Sequence, residues 1–347
     1  MLHNEIRKDF LLNRWVVIAT ERARRPTDFA KQKDKDTNTQ TSACPMCPGN
    51  EHMTPPAVLV YRNINGKIIK DKDQDGLRHK DWIIRCVPNL YPAFAPPTVD
   101  ADEKEIMRSD FCGLAIGHHE VLVESPIHDA HPADAELPQL VNVVNAYVDR
   151  IRELKKKPYV RYVSIFRNHG KEAGASLSHA HSQIIAMPFV PPTIAAEIEL
   201  SETLWNKNRK CVFCDLIEKE SKGPRFVQQN SDFAVITPYA SIHPMEFWIV
   251  PKKHAINPLN LNQTEKEAFA VVLKTTLRPL KVLVNDPPYN YGIHLTLQKS
   301  KRDYYHWHVE VLPKLVIWAG FEKSTGVYIN TIPPESAAAA LRKAIQS

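Results

Sequence analysis

The chain has 347 residues, of which 43% are hydrophobic and 24% charged, and its formal net charge is +6. These values are ordinary for a soluble globular protein and provide enough chain for two domains or one duplicated unit. The mild positive charge suits an anionic small molecule and does not call for a nucleic-acid partner. The chain has no apolar run of about 18 residues and its start lacks the apolar core of a signal peptide, so we expect a cytoplasmic protein without a membrane span.

Two Cys-x-x-Cys pairs divide the chain, "CPMC" at Cys44 and Cys47 and "CVFC" at Cys211 and Cys214. Disulfides are rare in the cytosol, where such a pair is usually a redox motif or half of a zinc site. A redox pair should open a helix after a strand, whereas "CPMCPGNE" follows a polar stretch in a Pro-rich loop. Zinc is therefore the better interpretation. The two remaining cysteines stand alone and are predicted to be small core residues.

The segment between the two pairs predicts a strand, a helix and two further strands. "VLVESPIH" is predicted to be a short apolar strand followed by Pro-x-His at His128. The apolar residues of the following helix recur at spacings of three and four and mark one buried face: Leu140, Val141, Val144, Tyr147, Val148 and Ile151. "YVRYVSIFRNH" and "SHAHSQII" are the next strands. In the second of these, period 2 places His179, His181 and Gln183 on one face.

The same order of elements occurs again in the second half of the chain. "CVFC" is followed by a strand that ends in Pro-x-x-His at His254, a long helix, a strand and a His-x-His at His306. The second helix is expected to begin with a capping box of Thr264 and Glu267. Position 128 lies 51 residues before 179, and position 254 lies 52 residues before 306. The repetition predicts two similar halves, each built from strands around a long helix.

Each half therefore combines a Cys-x-x-Cys with two histidines. Two thiolates and two imidazoles complete a tetrahedral zinc site that is closed to substrate, so both sites would be structural. Two zinc ions per chain are predicted, on Cys44, Cys47, His128 and His179 and on Cys211, Cys214, His254 and His306. The alternatives are that His128 is an ordinary surface-loop histidine and that the second pair holds no metal. With His179 on zinc, His181 would remain metal-free on a rigid support.

A family resemblance accompanies these motifs. "HAHSQ" resembles the His-x-His-x-Gln motif of galactose-1-phosphate uridylyltransferases, a branch of the histidine triad superfamily. "NRWVVIATERARRP", "NLYPA", "SPIH" and "AGFEKSTGVYIN" are similar to the family's arginine loop, nucleotide loop, zinc histidine and sugar loop. With "NDPPYNY" and two Cys-x-x-Cys pairs, the pattern most resembles the branch that includes plant-type ADP-glucose phosphorylases. The resemblance implies an α+β fold of two tandem histidine-triad-like domains, a catalytic one at 1–195 and a second at 196–347.

The resemblance also implies a mechanism. His181 would attack the α-phosphorus of a nucleotide sugar and form a covalent nucleotidyl-histidine, from which a second phosphate compound takes the nucleotide in a ping-pong reaction. Gln183 would donate to a phosphoryl oxygen, and the Ser176 hydroxyl would add a donor. Substrate contacts are implied for Arg22, Arg25, Asn89, Asn168, Gly174, Ala175, Phe321 and Glu322. A homodimer is also implied, with the carboxy-terminal loop reaching the other subunit's site.

Several readings remain open from the residues. Transfer from UDP-glucose to a hexose 1-phosphate, as in galactose metabolism, is the first expectation, and transfer between ADP-glucose and phosphate is the alternative. A histidine triad hydrolase and a non-enzymatic, zinc-stabilised nucleotide-binding protein are the others; the duplication counts against the hydrolase. The second half carries Glu310 where the motif has glutamine, so His308 is not expected to be a nucleophile. A family variant offers a rival metal cluster of Glu197, His294, His308 and Glu310.

Overall fold

The protein is described by a computed structural model over residues 4–12, 14–20, 26–29, 44–74, 76–97, 107–109, 112–298 and 304–346. The strands are β1 (Glu5–Lys8), β2 (Trp15–Ile18), β3 (Leu59–Ile64), β4 (Lys67–Asp71), β5 (Trp82–Pro88), β6 (Met107–Ser109), β7 (Cys112–Gly113), β8 (His118–Val123), β9 (Tyr162–His169), β10 (His181–Met187), β11 (Phe226–Gln229), β12 (Phe233–Ile236), β13 (Phe247–Pro251), β14 (Tyr289–His294), β15 (His308–Pro313) and β16 (Tyr328–Asn330). The helices are α1 (Leu137–Leu154), α2 (Pro192–Asn208), α3 (Val212–Glu220), α4 (Gln263–Val284), α5 (Gly320–Thr325) and α6 (Pro334–Gln346). None of these helices is long and apolar enough to cross a membrane. Antiparallel strands with a few long helices make this an α+β fold, as the sequence predicts.

The chain divides into two compact units. One consists of residues 35–167 and 176–191, and the other of residues 1–34, 168–175 and 192–347. The first is called the H181 unit below, and the second the H308 unit. The predicted boundary between 195 and 196 remains a prediction.

The H181 unit is built on antiparallel strands in the order β4-β3-β5-β8-β10-β9. Strand β10 lies between β8 and β9, with Gln183 opposite Val121 on one side and Phe166 on the other. Helix α1 packs against β5. All six apolar residues of the predicted helix face are buried, which confirms that prediction. Full burial of one such side chain contributes roughly 1.5–3 kcal/mol, so this face fixes the helix on the sheet.

The H308 unit repeats this arrangement with the order β11-β12-β13-β15-β14. Strand β15 pairs antiparallel with β13 and β14, as β10 does with β8 and β9. In both units the strand that carries the second histidine of His-x-His therefore lies between the strand before the long helix and the strand after it. A separate three-stranded sheet, in the order β1-β2-β16, also belongs to the H308 unit. The repeated strand order supports the predicted internal duplication.

The start of helix α4 differs from the prediction. Asn262 is the N-cap: its side chain accepts from the Glu265 N–H at 2.9 Å, and Glu265 accepts from the Asn262 N–H at 2.8 Å. The capping box is thus Asn262–Glu265 and not Thr264–Glu267. Glu267 instead accepts from the Gln263 side chain at 2.9 Å. The sequence "NQTEKE" contains both possible capping pairs, and the helix uses the earlier pair.

Candidate functional site

Strand β10 positions the central side chains of the candidate site. It begins at His181, so His179 lies just before the strand and not within it as the alternation predicted. His181 and Gln183 point to one face of the sheet, and Ser182 between them points to the other. His181 is only 5% exposed. Its place on a central strand fixes the imidazole more firmly than a loop would.

The hydrogen bonds of His181 define its tautomer. Its Nδ1–H donates to the His179 carbonyl oxygen at 2.7 Å, so in the neutral ring the Nε2 atom carries the lone pair. Burial lowers the pKa of His181 below its usual value, and the neighbouring Arg167 guanidinium lowers it further. The ring is therefore neutral at pH 7, which is the nucleophilic form of imidazole.

A buried polar network supports the backbone at His181. The Arg167 guanidinium donates to the His181 carbonyl at 3.0 Å and forms an ion pair with Glu124. Glu124 also accepts hydrogen bonds from the Ser182 and Tyr147 hydroxyls. The Arg167 and Glu124 side chains are 1% and 2% exposed. Two opposite charges that are both buried require each other, because either one alone would be costly.

Gln183 is held by a histidine that the sequence analysis did not single out. The Gln183 Oε1 atom lies 2.8 Å from His119 Nε2 on the neighbouring strand β8. Asn89, a predicted nucleotide contact, also approaches this ring, with its Nδ2 atom 3.2 Å from His119 Nε2. The structure thus brings His181 and Gln183 onto one strand and places Asn89 beside the histidine that contacts Gln183.

The end of β9 and the loop that follows it contain four further predicted site residues. Asn168 accepts from the Asn290 side chain at 2.8 Å, and Asn290 also donates to the Ala173 carbonyl at 2.8 Å. Gly174 has a φ of +88°, which favours glycine. The Gly174 and Ala175 N–H groups donate to carbonyls within this turn, so here they do not point outward as phosphate donors. The fourth, Ser176, is exposed.

The four predicted ligands of the first zinc site lie together. Cys47 Sγ is 3.3 Å from His128 Nδ1 and 3.4 Å from His179 Nδ1, and Cys44 Sγ is 3.7 Å from His179 Nδ1. Tetrahedral zinc with ordinary bond lengths would place sulfur and nitrogen about 3.6 Å apart. The four residues therefore fit a zinc ion.

The surroundings of this cluster also suit a metal. His179 Nε2–H donates to the Ser125 carbonyl at 2.8 Å, and His128 Nε2 lies 2.8 Å from the Ser178 hydroxyl. Such outer contacts orient the rings and direct Nδ1 at the metal. Burial lowers the pKa of His179 to about 4, which keeps it neutral. Without a cation, burial and the neighbouring Cys44 raise the pKa of Cys47 to about 11; a bound cation would hold both sulfurs as thiolates.

The second predicted site has the same construction. Cys214 Sγ is 3.6 Å from both His254 Nδ1 and His306 Nδ1, and Cys211 Sγ is 3.7 Å from His306 Nδ1. His306 Nε2–H donates to the Pro251 carbonyl at 2.9 Å, as His179 does to the Ser125 carbonyl. Both clusters could hold a metal ion and are compatible with zinc.

Comparisons with known proteins agree with these features. The model of a family described as "Domain of unknown function (DUF4921)" matches residues 137–347. ADP-glucose phosphorylase of Arabidopsis thaliana is 33% identical over 98% of this chain and 92% of its own length. The chain belongs to the galactose-1-phosphate uridylyltransferase family. The uridylyltransferase of Thermotoga maritima is 29% identical over 98% of both chains.

Solved structures of the family show the same fold. The crystal structure of an ADP-glucose phosphorylase from Arabidopsis thaliana with bound ADP-glucose gives a TM-score of 0.79 at 30% identity, covering 98% of this chain and 99% of that one. A uridylyltransferase structure gives 0.71 at 28% identity, covering 99% of both. The chain is thus a member of a nucleotidyltransferase family, near its ADP-glucose phosphorylase branch.

The rival metal cluster of the family variant is assembled as well, as an ion-paired group. Glu197 contacts His294 Nδ1 at 3.0 Å and accepts from the Tyr305 hydroxyl at 2.6 Å. Burial disfavours the charged ring, but Glu197 and Glu310 outweigh it and raise the pKa of His294 to about 9. In the described part of the chain, the buried His308 Nε2 and Glu310 Oε1 atoms have no hydrogen-bond partner, and the four side chains lie close enough together to hold a metal ion.

His308 is enclosed even more completely than His181, which is 5% exposed. It is fully buried, with the Phe213 ring 4.6 Å and the Trp248 ring 5.3 Å from its own ring. Its Nδ1–H donates to the His306 carbonyl at 3.2 Å, so it repeats the hydrogen bond of His181 to the carbonyl two residues earlier, in a side chain with no exposed surface. This arrangement agrees with the expectation that His308 is not a second nucleophile.

The remaining predicted contacts lie apart from strand β10 in the sequence. Phe321 is 48% exposed on helix α5. Glu322 accepts from the Ala319 N–H at 3.0 Å and thereby caps that helix. Arg22 and Arg25 lie outside the described residues. The sugar-binding role of Phe321 and Glu322 and the phosphate-binding role of the two arginines remain predictions.

Proposed function

We propose that the protein transfers a nucleoside monophosphate from a nucleotide sugar to a phosphate acceptor through a covalent nucleotidyl group on His181. The observation that carries this proposal is the fixed tautomer of His181, whose Nδ1–H donates to a backbone carbonyl at 2.7 Å. The other nitrogen, Nε2, then carries the lone pair, in a ring whose pKa is lowered by burial. An amide donor, Gln183, lies on the same face of the strand.

In the first step, Nε2 of His181 attacks the α-phosphorus and forms a P–N bond. The bond from that phosphorus to the bridging oxygen breaks, and the hexose 1-phosphate leaves with the electron pair. The ring keeps its Nδ1 proton and donates a hydrogen bond through it to the His179 carbonyl, so the positive charge on the modified ring is stabilised. Gln183 would donate to a phosphoryl oxygen as negative charge develops there.

In the second step, an oxygen of the acceptor attacks the same phosphorus. The P–N bond breaks and the neutral ring is restored, so one histidine serves both half-reactions. With inorganic phosphate as acceptor, an adenylyl group would be released as ADP. With a hexose 1-phosphate as acceptor, a new nucleotide sugar would form.

ADP-glucose with inorganic phosphate is the substrate pair that we propose first. It is supported by the 33% identity to an ADP-glucose phosphorylase and by the TM-score of 0.79 to the structure with bound ADP-glucose. UDP-glucose with a hexose 1-phosphate is the second candidate. It is supported by the Thermotoga maritima uridylyltransferase, which aligns over 98% of both chains.

The two metal clusters would hold zinc as structural ions in this proposal. Each uses four protein ligands, which leaves no open position for a substrate. The first site would fix His179, whose carbonyl accepts a hydrogen bond from the Nδ1–H of His181. A homodimer remains part of the proposal on the strength of the family resemblance alone.

The substrate pair is tested by half-reactions. The purified protein is incubated separately with ADP-glucose and UDP-glucose, its intact mass is measured, and inorganic phosphate or galactose 1-phosphate is then added. An adenylyl mass increase that phosphate removes, with release of ADP, supports the first candidate. A uridylyl increase that galactose 1-phosphate removes supports the second. If neither sugar nucleotide modifies the protein, the proposed function is wrong.

A further inference from the structure

The strand next to β10 carries two adjacent histidines with different surroundings. His118 and His119 both lie on β8 and therefore point to opposite faces of the sheet. His118 Nε2 contacts the Tyr159 hydroxyl at 2.8 Å. His119 contacts Gln183 at 2.8 Å. Only His119 thus reaches the face that carries the proposed nucleophile.

A backbone hydrogen bond fixes the tautomer of His119. The Ala93 N–H donates to His119 Nδ1 at 3.1 Å. A backbone N–H can only donate, so Nδ1 must be the acceptor and in the neutral ring the proton must be on Nε2. The Nε2–H group then donates to the atom of Gln183 that it faces, which is Oε1.

This bond determines which way the Gln183 amide points. The oxygen and nitrogen of a glutamine side chain can exchange places by rotation, and only the hydrogen-bond partners decide between the two orientations. With Oε1 held by His119 Nε2–H, the NH2 group is turned away from His119. A reversed amide would place its NH2 against another donor.

The Asn89 side chain does not compete for this proton. Its Oδ1 atom accepts from the Tyr91 N–H at 2.9 Å, so its NH2 group is the end that lies 3.2 Å from His119 Nε2. Both Asn89 Nδ2 and His119 Nε2 are donors and cannot bond to each other. The His119 proton is therefore directed to Gln183.

We infer that His119 is a positioning residue that keeps the Gln183 NH2 group directed at the phosphoryl oxygens during nucleotidyl transfer. This inference rests on the proposed function, because it assigns a purpose to the Gln183 amide in that reaction. Hydrogen bonds link the Ala93 N–H, the His119 ring and the Gln183 amide in a chain. This chain orients the Gln183 NH2 donor before the substrate binds. A donor that needs no reorientation in the transition state is the effective kind.

The test compares single-turnover rates of nucleotidylation of His181 with the affinity for the nucleotide sugar. His119→Leu removes the Nε2–H donor and is expected to slow nucleotidylation by about 10- to 100-fold with little change in affinity. His119→Gln places an amide N–H near the former Nε2–H and should restore most of the rate. His118→Leu is the matched control on the adjacent position and should leave the rate unchanged.

A double-mutant comparison separates positioning from a general structural effect. If His119 acts through Gln183, the His119→Leu, Gln183→Ala protein is no slower than Gln183→Ala alone. The inference would be overturned if the double variant were slower than Gln183→Ala by the full factor that His119→Leu loses alone. A His119→Leu protein that reacts at the wild-type rate would also overturn it. If the wild-type protein is not modified by any nucleotide sugar, the proposed function fails instead. The ring tautomer measured by ¹⁵N NMR still tests the inference then, because a proton on Nδ1 of His119 would contradict it.

Discussion

Removal of the two cysteines of the second cluster should remove one metal ion and no more. Native protein is expected to contain two zinc ions per chain, and the Cys211→Ser, Cys214→Ser protein one. Serine hydroxyls are not deprotonated at neutral pH and do not replace thiolates. The first cluster uses Cys44, Cys47, His128 and His179 and shares no ligand with the second, so its zinc should remain.

The stability loss can be estimated from the chain that the metal would close. Cys211 and His306 are 95 positions apart. A covalent link over such a span lowers the entropy of the unfolded chain by an amount equivalent to roughly 4–5 kcal/mol in the chain-entropy model. A zinc ion that cross-links the same positions should contribute a similar amount, so the thermal midpoint of the H308 unit should fall by about 10 °C or more in the variant.

The assay is metal analysis of desalted native protein and variants, together with thermal unfolding. Cys86→Ser is the matched control, because Cys86 is a buried cysteine outside both clusters. It should retain two zinc ions. A cysteine double variant that still binds two ions would refute the second site, and a metal loss on His294→Asn would point to the carboxylate cluster instead.

Three further predictions follow from single side chains. Gln183→Ala should bind the nucleotide sugar but form the adduct about 100-fold more slowly, since loss of one such donor costs on the order of 3 kcal/mol; unchanged single-turnover kinetics would show that the amide points elsewhere. Arg167→Met should destabilise the protein by about 3 kcal/mol or more, because it leaves Glu124 buried without its partner, and Glu124→Gln in the same background should recover part of the loss in a denaturant titration. Burial lowers the pKa of His243 to about 3, so its contribution to stability is complete above pH 6.5 and falls as the pH drops towards 3. His243→Leu should therefore reduce the difference in unfolding free energy between pH 7.5 and pH 5 by about 2 kcal/mol, and an unchanged difference would contradict the assignment.

The sequence was sufficient for much of the fold and for the metal clusters. The spacing of Leu140 to Ile151 predicted the buried face of α1, because side chains three and four apart lie on one side of a helix. The repeated order of motifs predicted which cysteines and histidines would meet. Both successes depend on periodicity or repetition, which a single sequence displays directly.

Contacts across strands could not be read from the sequence. His119 meets Gln183 only because β8 and β10 pair with Ile185 opposite His119, and strand register is not visible in either segment alone. The Glu124–Arg167 pair has a partial signal, since each charge directly follows apolar residues of a predicted strand, but the sequence does not show that they are partners. The sequence also left open which residues form the capping box of α4, because Asn262 and Thr264 are each followed by a glutamate three residues later.

The central claim is that His181 carries the nucleotide, and mapping the modified residue tests it most directly. Native protein and His181→Ala protein would each be incubated with ADP-glucose and with UDP-glucose, digested under conditions that preserve a P–N bond, and examined by tandem mass spectrometry. We expect a nucleotidyl group on His181 in the native protein and none in the variant, with the same zinc content in both. A nucleotidyl group on another residue, or a variant that turns over as fast as the native protein, would contradict it.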